Sequence, residues 1–319
     1  MENKTRLSEF LLHGFPDTEE LRMVHIIVFF IIYLVALMEN LIIITVIVYS
    51  HQLHSPMYFF LVNLSLQDLG SISVTVPKSL LNSLMSTETI SYSGCLCQVF
   101  FLVFFMLSHF FLLGVMAYDR YVAICNPLRY ETVLNKKACI HMATSAWMGG
   151  LFYSMLYMVL LLRLEFCSRI INQFFCEIPQ LLKISCSESY LAVVWALIFG
   201  TSLAFLYFTL ISFSYVQIFR AVFRIPSTQG KQKAFSTCLP HLIVICLFVV
   251  SGNFVYLRPT SSSPSTSNIL MSMFYCVVPP VMNPLIYSMR NKELKMAFRK
   301  LILNISSNTL HNFSQLCVL

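Results

Sequence analysis

Apolar residues run through this chain in long blocks separated by short polar connections. A helix needs about 20 consecutive apolar residues to cross hydrocarbon. The pattern predicts seven such spans, at 23–49, 56–78, 95–121, 138–162, 190–219, 234–257 and 267–288. Blocks of this length and composition suit helices, which satisfy every backbone polar group within the segment. The predicted fold is an all-α membrane protein, a seven-transmembrane helix bundle. Beyond the seventh span, Leu294, Phe298 and Leu301 recur at helical spacing among Lys295, Arg299 and Lys300. That spacing predicts a short amphipathic C-terminal helix lying on the membrane surface. The chain then divides into a tail at 1–22, the bundle at 23–288, and an amphipathic helix and tail at 289–319.

Composition agrees with this reading. Hydrophobic residues make up 57% of the chain and charged residues only 11%, with a mean hydropathy of +0.74. Such a chain belongs in a bilayer. The net charge of +7 would suit nucleic acid, but the placement of the bases argues otherwise. Arg129, Lys136 and Lys137 share one connection, Arg220, Arg224, Lys231 and Lys233 another, and Arg290, Lys292, Lys295, Arg299 and Lys300 follow the last span. All three regions lie on one side of a seven-span chain. The positive-inside rule makes that side cytoplasmic, with the N-terminus outside and the C-terminus inside. The expected partner surface is therefore lipid, and no nucleic acid is expected.

Met1 leads into polar Glu2, Asn3, Lys4, Thr5 and Arg6 with no short apolar core behind them, so the first span is expected to act as its own uncleaved signal. Asn3-Lys4-Thr5 is a glycosylation acceptor on the expected outer tail. The acceptor sequences at Asn63, Asn304 and Asn312 fall within a span or on the inner side, out of reach of the glycosylating enzymes.

The connection at 163–189 is long for a helical bundle and contains Cys167, Cys176 and Cys186; Cys95 and Cys97 stand at the outer end of span three. These cysteines face an oxidising compartment. Their odd number permits at most two bridges. Either Cys95 ties the loop over the bundle as a lid, or the loop cysteines pair among themselves. Cys125, Cys139, Cys238, Cys246 and Cys276 lack metal-ligand spacing and read as small core residues. No metal or other cofactor is expected.

Charged and polar residues inside the spans mark the candidate chemistry. Asp68 sits in mid-span, with Asn283 of span seven as a neighbour. Two readings stand: a sodium ion or water cluster between them, or a protonated carboxyl hydrogen-bonded for packing. Glu39, beside Asn40 in span one, poses the same question. His109 in span three reads as a hydrogen-bonded interior histidine. Asp119 and Arg120, followed by Tyr121, lie at the inner end of span three. A guanidinium held by its neighbouring carboxylate is tolerated there while paired and is free to change partners when helices move, which makes the pair a candidate switch. Pro284, within Asn283-Pro284-Leu285-Ile286-Tyr287, removes a backbone bond and permits a kink.

Leu102, Val103, Met106, Leu107, Phe199, Leu203, Asn253 and Tyr256 are the candidate ligand-binding residues in the outer halves of spans three, five and six. An apolar cavity with so few polar anchors suits a small, neutral, lipophilic or volatile ligand better than a charged amine. There is no Gly-rich phosphate loop, His-Glu-x-x-His motif or nucleophile elbow. The sequence points to no enzyme class.

Several motifs in fixed order resemble those of the olfactory receptors, a branch of the rhodopsin-like G-protein-coupled receptors. They are Pro56-Met57-Tyr58-Phe59-Phe60, then Leu64-Ser65 with Asp68-Leu69, the run from Met116 to Cys125, Ser214-Tyr215, Lys233-Ala234-Phe235-Ser236-Thr237-Cys238 with His241, and Pro280 with Asn283 through Ser288. The resemblance covers nearly the whole chain. It implies bridges Cys95–Cys176 and Cys167–Cys186. It also implies a cytoplasmic lock at Asp119 and Arg120, toward which Tyr215 and Tyr287 rearrange on activation, and a buried polar site at Asp68 and Asn283. The implied ligand is an odorant at the plasma membrane. The implied partner is the olfactory stimulatory G protein, which raises cyclic AMP. The chain departs from the family pattern at Glu39, where glycine is usual before Asn40. It departs again at His109, usually acidic, at Val249, usually tyrosine, and at Pro240.

A reading from another class is a transporter or channel with Asp68 and Glu39 in an ion pathway. The absence of an internal repeat and of paired broken helices argues against it.

Overall fold

The predicted spans become helices that overrun the hydrocarbon-length blocks at most of their ends. In chain order the helices are α1 (Glu19–Tyr49), α2 (Pro56–Met85), α3 (Tyr92–Cys125), α4 (Tyr130–Val133), α5 (Lys136–Leu161), α6 (Ile178–Ile184), α7 (Tyr190–Arg224), α8 (Thr228–Tyr256) and α9 (Thr266–Arg290). Helices α4 and α6 are short connectors; the other seven form the bundle. This computed structural model describes residues 8–13, 18–187, 190–256, 266–290, 293–301 and 303, and only the backbone at 253–256, 266–272 and 289–290. Residues 293–301 are helical, with Leu294 buried and Lys295, Arg299 and Lys300 exposed. The expected amphipathic helix thus follows α9.

Apolar patterning measures the hydrocarbon-thick part of a helix, whereas backbone hydrogen bonding can continue past it. Helix α2 was expected to end at 78 but runs on through Asn82 to Met85, where Ser86 caps it in the left-handed conformation with φ 53°. Six of the seven long helices are apolar enough on their described residues to cross a bilayer. The seventh, α9, has its side chains described only at 273–288 and carries Pro279, Pro280 and Pro284 within one continuous helix.

Helix α5 shows how the sequence builds the bundle. Its buried positions are Cys139, Ala143, Ala146, Gly150, Ser154, Tyr157 and Leu161, a stripe at three- and four-residue spacing made mostly of small side chains. Small residues let helix backbones approach closely without a hydrophobic driving force. At Gly150 a Cβ would lie 2.7 Å from the Phe104 carbonyl oxygen of α3, so this contact requires glycine.

At the disulfide-bearing end, β1 (Glu9–Leu12) pairs antiparallel with β2 (Thr89–Ser91) and parallel with β3 (Ile170–Ile171). The first of these segments lies within the stretch that sequence composition predicts as a polar tail. Its alternation buries Phe10 and Leu12 fully, a signal too short to weigh against the long spans. Asn3 lies outside the described residues.

Candidate functional site

Proline chemistry shapes the middle of the bundle. Pro284 has no N–H to donate to the carbonyl of Pro280, one turn earlier. The Asn40 amide of α1 donates to that carbonyl at 2.9 Å and to Ala36 O at 2.9 Å. One turn from this repair, Asn283 of α9 donates through Nδ2 to both Asp68 oxygens, at 3.1 and 3.0 Å. His109 Nδ1 of α3 lies 3.5 Å from Asp68 Oδ1. All three side chains are buried. The sequence-predicted neighbours Asp68 and Asn283 therefore meet, and His109 joins them.

Glu39 sits elsewhere. It lines a groove of about 250 Å³ with Ile43, Pro284, Leu294 and Phe298, between α1, α9 and the C-terminal helix. Asp68 does not line that groove, so the two carboxyls form no common pathway there.

At the opposite end from the disulfides, Asp119 is buried and uses both oxygens. Arg120 Nε donates to Oδ2 at 2.8 Å and its Nη2 makes a second contact with the same oxygen. Tyr130 of α4 donates to Oδ1 at 2.8 Å. Burial, reinforced by the Asp119 charge, pushes the Tyr130 phenol up and keeps it a neutral donor. Tyr130 carries no signal in the sequence beyond being a tyrosine in a basic connection, because its partner lies eleven residues earlier across a turn. Tyr121 is half-buried against the core on this side.

A cavity of about 470 Å³ opens beside this pair. Met116, Arg120, Lys233, Thr237, His241 and Tyr287 are among the residues lining it. Tyr215 Oη and His241 Nδ1 are 2.5 Å apart, joining α7 to α8. Tyr287 Oη is buried without a hydrogen-bond partner among the described residues. Leu128, in the turn after α3, is 100% exposed.

At the disulfide end, Cys95–Cys176 ties the long loop to α3 and Cys167–Cys186 closes the loop on itself, with Cα separations of 5.5 and 5.8 Å. Cys97 is free. Gln98 fixes the loop further: its Oε1 accepts from Cys176 N at 2.8 Å while its Nε2 donates to Val74 O at 3.0 Å. Phe174 and Phe175, next to the bridge, are buried among Phe29, Leu102, Met106 and Tyr275. The loop therefore dips into the bundle.

The predicted ligand residues do not all converge. Leu102, Val103 and Met106 point into the bundle and Leu107 is half-buried. Phe199 and Leu203 are 60% and 39% exposed and face outward. No described residue of α7 between Val193 and Ile211 is fully buried; Ala196, Leu197, Tyr207 and Phe208 pack half-buried on the core, while Phe199 and Leu203 stay on the exposed side. Sequence could assign these residues to the outer half of a span but not to its inner face. The side chains of Asn253 and Tyr256 lie outside the described residues.

Seven helices, a disulfide-tethered loop at one end and a buried Asp-Arg pair beside a cavity at the other define a multi-pass membrane receptor architecture. The family model described as Olfactory receptor matches residues 29–305. Olfactory receptor 14J1 of Homo sapiens is 46% identical over 303 residues, covering 95% of this chain and 94% of that one. Olfactory receptor 14L1 of Homo sapiens is 43% identical over 299 residues, 93% and 92% of the two chains. Olfactory receptor 1G1 of Gorilla gorilla gorilla is 43% identical over 301 residues, 94% and 96%. The chain belongs to the olfactory receptor family, whose members are odorant receptors and not enzymes.

Proposed function

We propose that this receptor binds a small lipophilic or volatile odorant in the disulfide-end half of its bundle and activates an olfactory-type stimulatory G protein at the Arg120 end, raising cyclic AMP. The disulfide end faces the outside, as oxidised cysteines require, and the basic connections face the cytoplasm. The bundle is bounded by the tail at 1–22 and the inner segment at 289–319, and Asn3 of that tail carries glycan. Leu102, Val103 and Met106 form the inward wall of the ligand site, with Leu107 at its margin and Asn253 and Tyr256 as its polar anchors.

The observation that carries the reading is the cavity beside Arg120, bordered by Lys233 and lined by Met57 and Met116. An apolar lining and a basic rim around a recess suit the end of a partner helix. Asp119 holds Arg120 in the resting arrangement. Ligand binding favours an arrangement in which α8 swings away, Arg120 leaves Asp119, and Tyr215 and Tyr287 turn toward it. A ligand shifts this balance only through its differential affinity for the two arrangements. Pro284 gives α9 its pivot.

The test is an odorant screen read as cyclic AMP in cells expressing the chain. Arg120→Ala is expected to abolish the response while surface delivery persists. Ion flux on ligand addition without G-protein dependence would support the transporter reading and overturn this one.

A further inference from the structure

Asp68 is 2% exposed and His109 4% exposed, in the middle of a membrane bundle. An ionised carboxylate there requires a positive partner. Among the described residues, His109 is the basic side chain within ion-pair range of it. The surroundings suit a metal cation poorly. Sodium and other hard cations gather several oxygens, but Asn283 presents its Nδ2 to Asp68, and the third neighbour offers an imidazole nitrogen. No group of three or more His, Cys, Asp or Glu able to hold a metal occurs among the described residues. What fits between a carboxyl and an imidazole is a proton.

We propose that Asp68 and His109 form a proton-binding site that takes the place of a bound metal cation at the centre of the bundle. One proton serves the pair whichever group carries it, because a neutral carboxyl with a neutral imidazole and a carboxylate with an imidazolium have the same net charge. The His109 ring also stacks on Phe248 of α8, with centroids 5.0 Å apart and planes 6° apart. His109 thus stands between the polar site of α2 and α9 and the face of α8, and an imidazolium would be attracted to that ring. Losing the proton leaves an uncompensated charge in the core, which favours an arrangement that admits water and loosens α8.

The sign follows from counting protons. Near neutral pH the folded chain holds one proton at the pair, whereas the unfolded chain has an ionised aspartate and a mostly neutral histidine. The pair's contribution to stability is therefore full in mildly acid buffer and is lost as pH rises. The other titratable groups that act on this pair from neighbouring elements are His241 of α8 and Tyr287 of α9, with Arg120 of α3 beyond them. A variant that removes only the pair separates its effect from theirs.

The test is thermal unfolding of the purified full chain in detergent, at about pH 6 to pH 8.5, in sodium chloride or choline chloride of equal strength. The wild-type midpoint is expected to fall by about 2–4 °C across that range and to ignore sodium. The double variant Asp68→Asn/His109→Gln, neutral at every pH, should lose that step while His241 and Tyr287 remain. His109→Glu places two carboxyls side by side and should make the midpoint rise with sodium. A pH step that survives in the double variant, or a wild-type midpoint raised by sodium, overturns the proposal. The measurement uses neither odorant nor G protein, so its failure leaves the receptor reading standing.

Discussion

Asn40 donates its side-chain amide, at 2.9 Å, to the carbonyl of Pro280 that the ring of Pro284 deprives of its helical donor. The gap that Pro284 leaves in the α9 ladder is thereby bridged from α1, and the freed acceptor stays satisfied in an environment without water. Asn40→Ala removes the donor and leaves that carbonyl unpaired, at a cost of about 1 kcal/mol. The expected result is a fall of about 2–4 °C in the unfolding midpoint of the solubilised full chain. Asn40→Asp, which keeps the shape but not the donor, should do no better.

Tyr130 and Arg120 hold Asp119 from opposite sides. Tyr130→Phe deletes one hydrogen bond to a buried carboxylate without changing the packing of the ring, so Asp119 holds its position and its partner less firmly. Basal cyclic AMP is expected to rise about fivefold at matched surface expression. Asp119→Asn should raise it further because it removes the charge itself. Unchanged basal signalling in both variants would show that this pair does not restrain the receptor.

The seven helices were legible because membrane length and apolarity are properties of each segment alone. Asp119 with Arg120 was legible for the same reason, being adjacent in sequence at the edge of an apolar block. Contacts between segments were less so. Asp68 and Asn283 pair in the sequence because a buried carboxyl needs a neighbour, whereas His109 reads from its own segment only as a hydrogen-bonded interior histidine, since the phase of α3 relative to α2 is set by packing. The same limit explains Phe199 and Leu203: apolar residues on a membrane helix look alike whether they face a ligand or lipid. The strand Glu9–Leu12 was missed because its partners, Thr89–Ser91 and Ile170–Ile171, are distant in sequence and as short as itself.

The long loop is held by two bridges of unequal reach. Cys95–Cys176 closes 81 residues and Cys167–Cys186 closes 19. The longer closure restricts the unfolded chain more, so its loss should cost about 1 kcal/mol more than loss of the shorter one. Cys95→Ser/Cys176→Ser is expected to unfold at a lower temperature than Cys167→Ser/Cys186→Ser. The first pair also releases Phe174 and Phe175 from the bundle, so its response to odorant should vanish even where surface delivery is retained. Equal losses from the two pairs would mean that the tether has no special role.

The direction in which α3 and α7 present their side chains decides where an odorant touches the protein. Met106 and Leu102 are buried beside Phe174 and Phe175, whereas Phe199 and Leu203 lie on the outward face of α7. Met106→Ala should weaken potency about tenfold, the equivalent of roughly 1.4 kcal/mol of lost apolar contact. Phe199→Ala and Leu203→Ala, which remove atoms from a lipid-facing surface, should leave potency within about threefold, less than 1 kcal/mol. Dose–response curves of cyclic AMP for the three variants at matched surface expression make the comparison. The reverse order, with Phe199 and Leu203 dominant, would require α7 to turn its outer half inward when ligand binds.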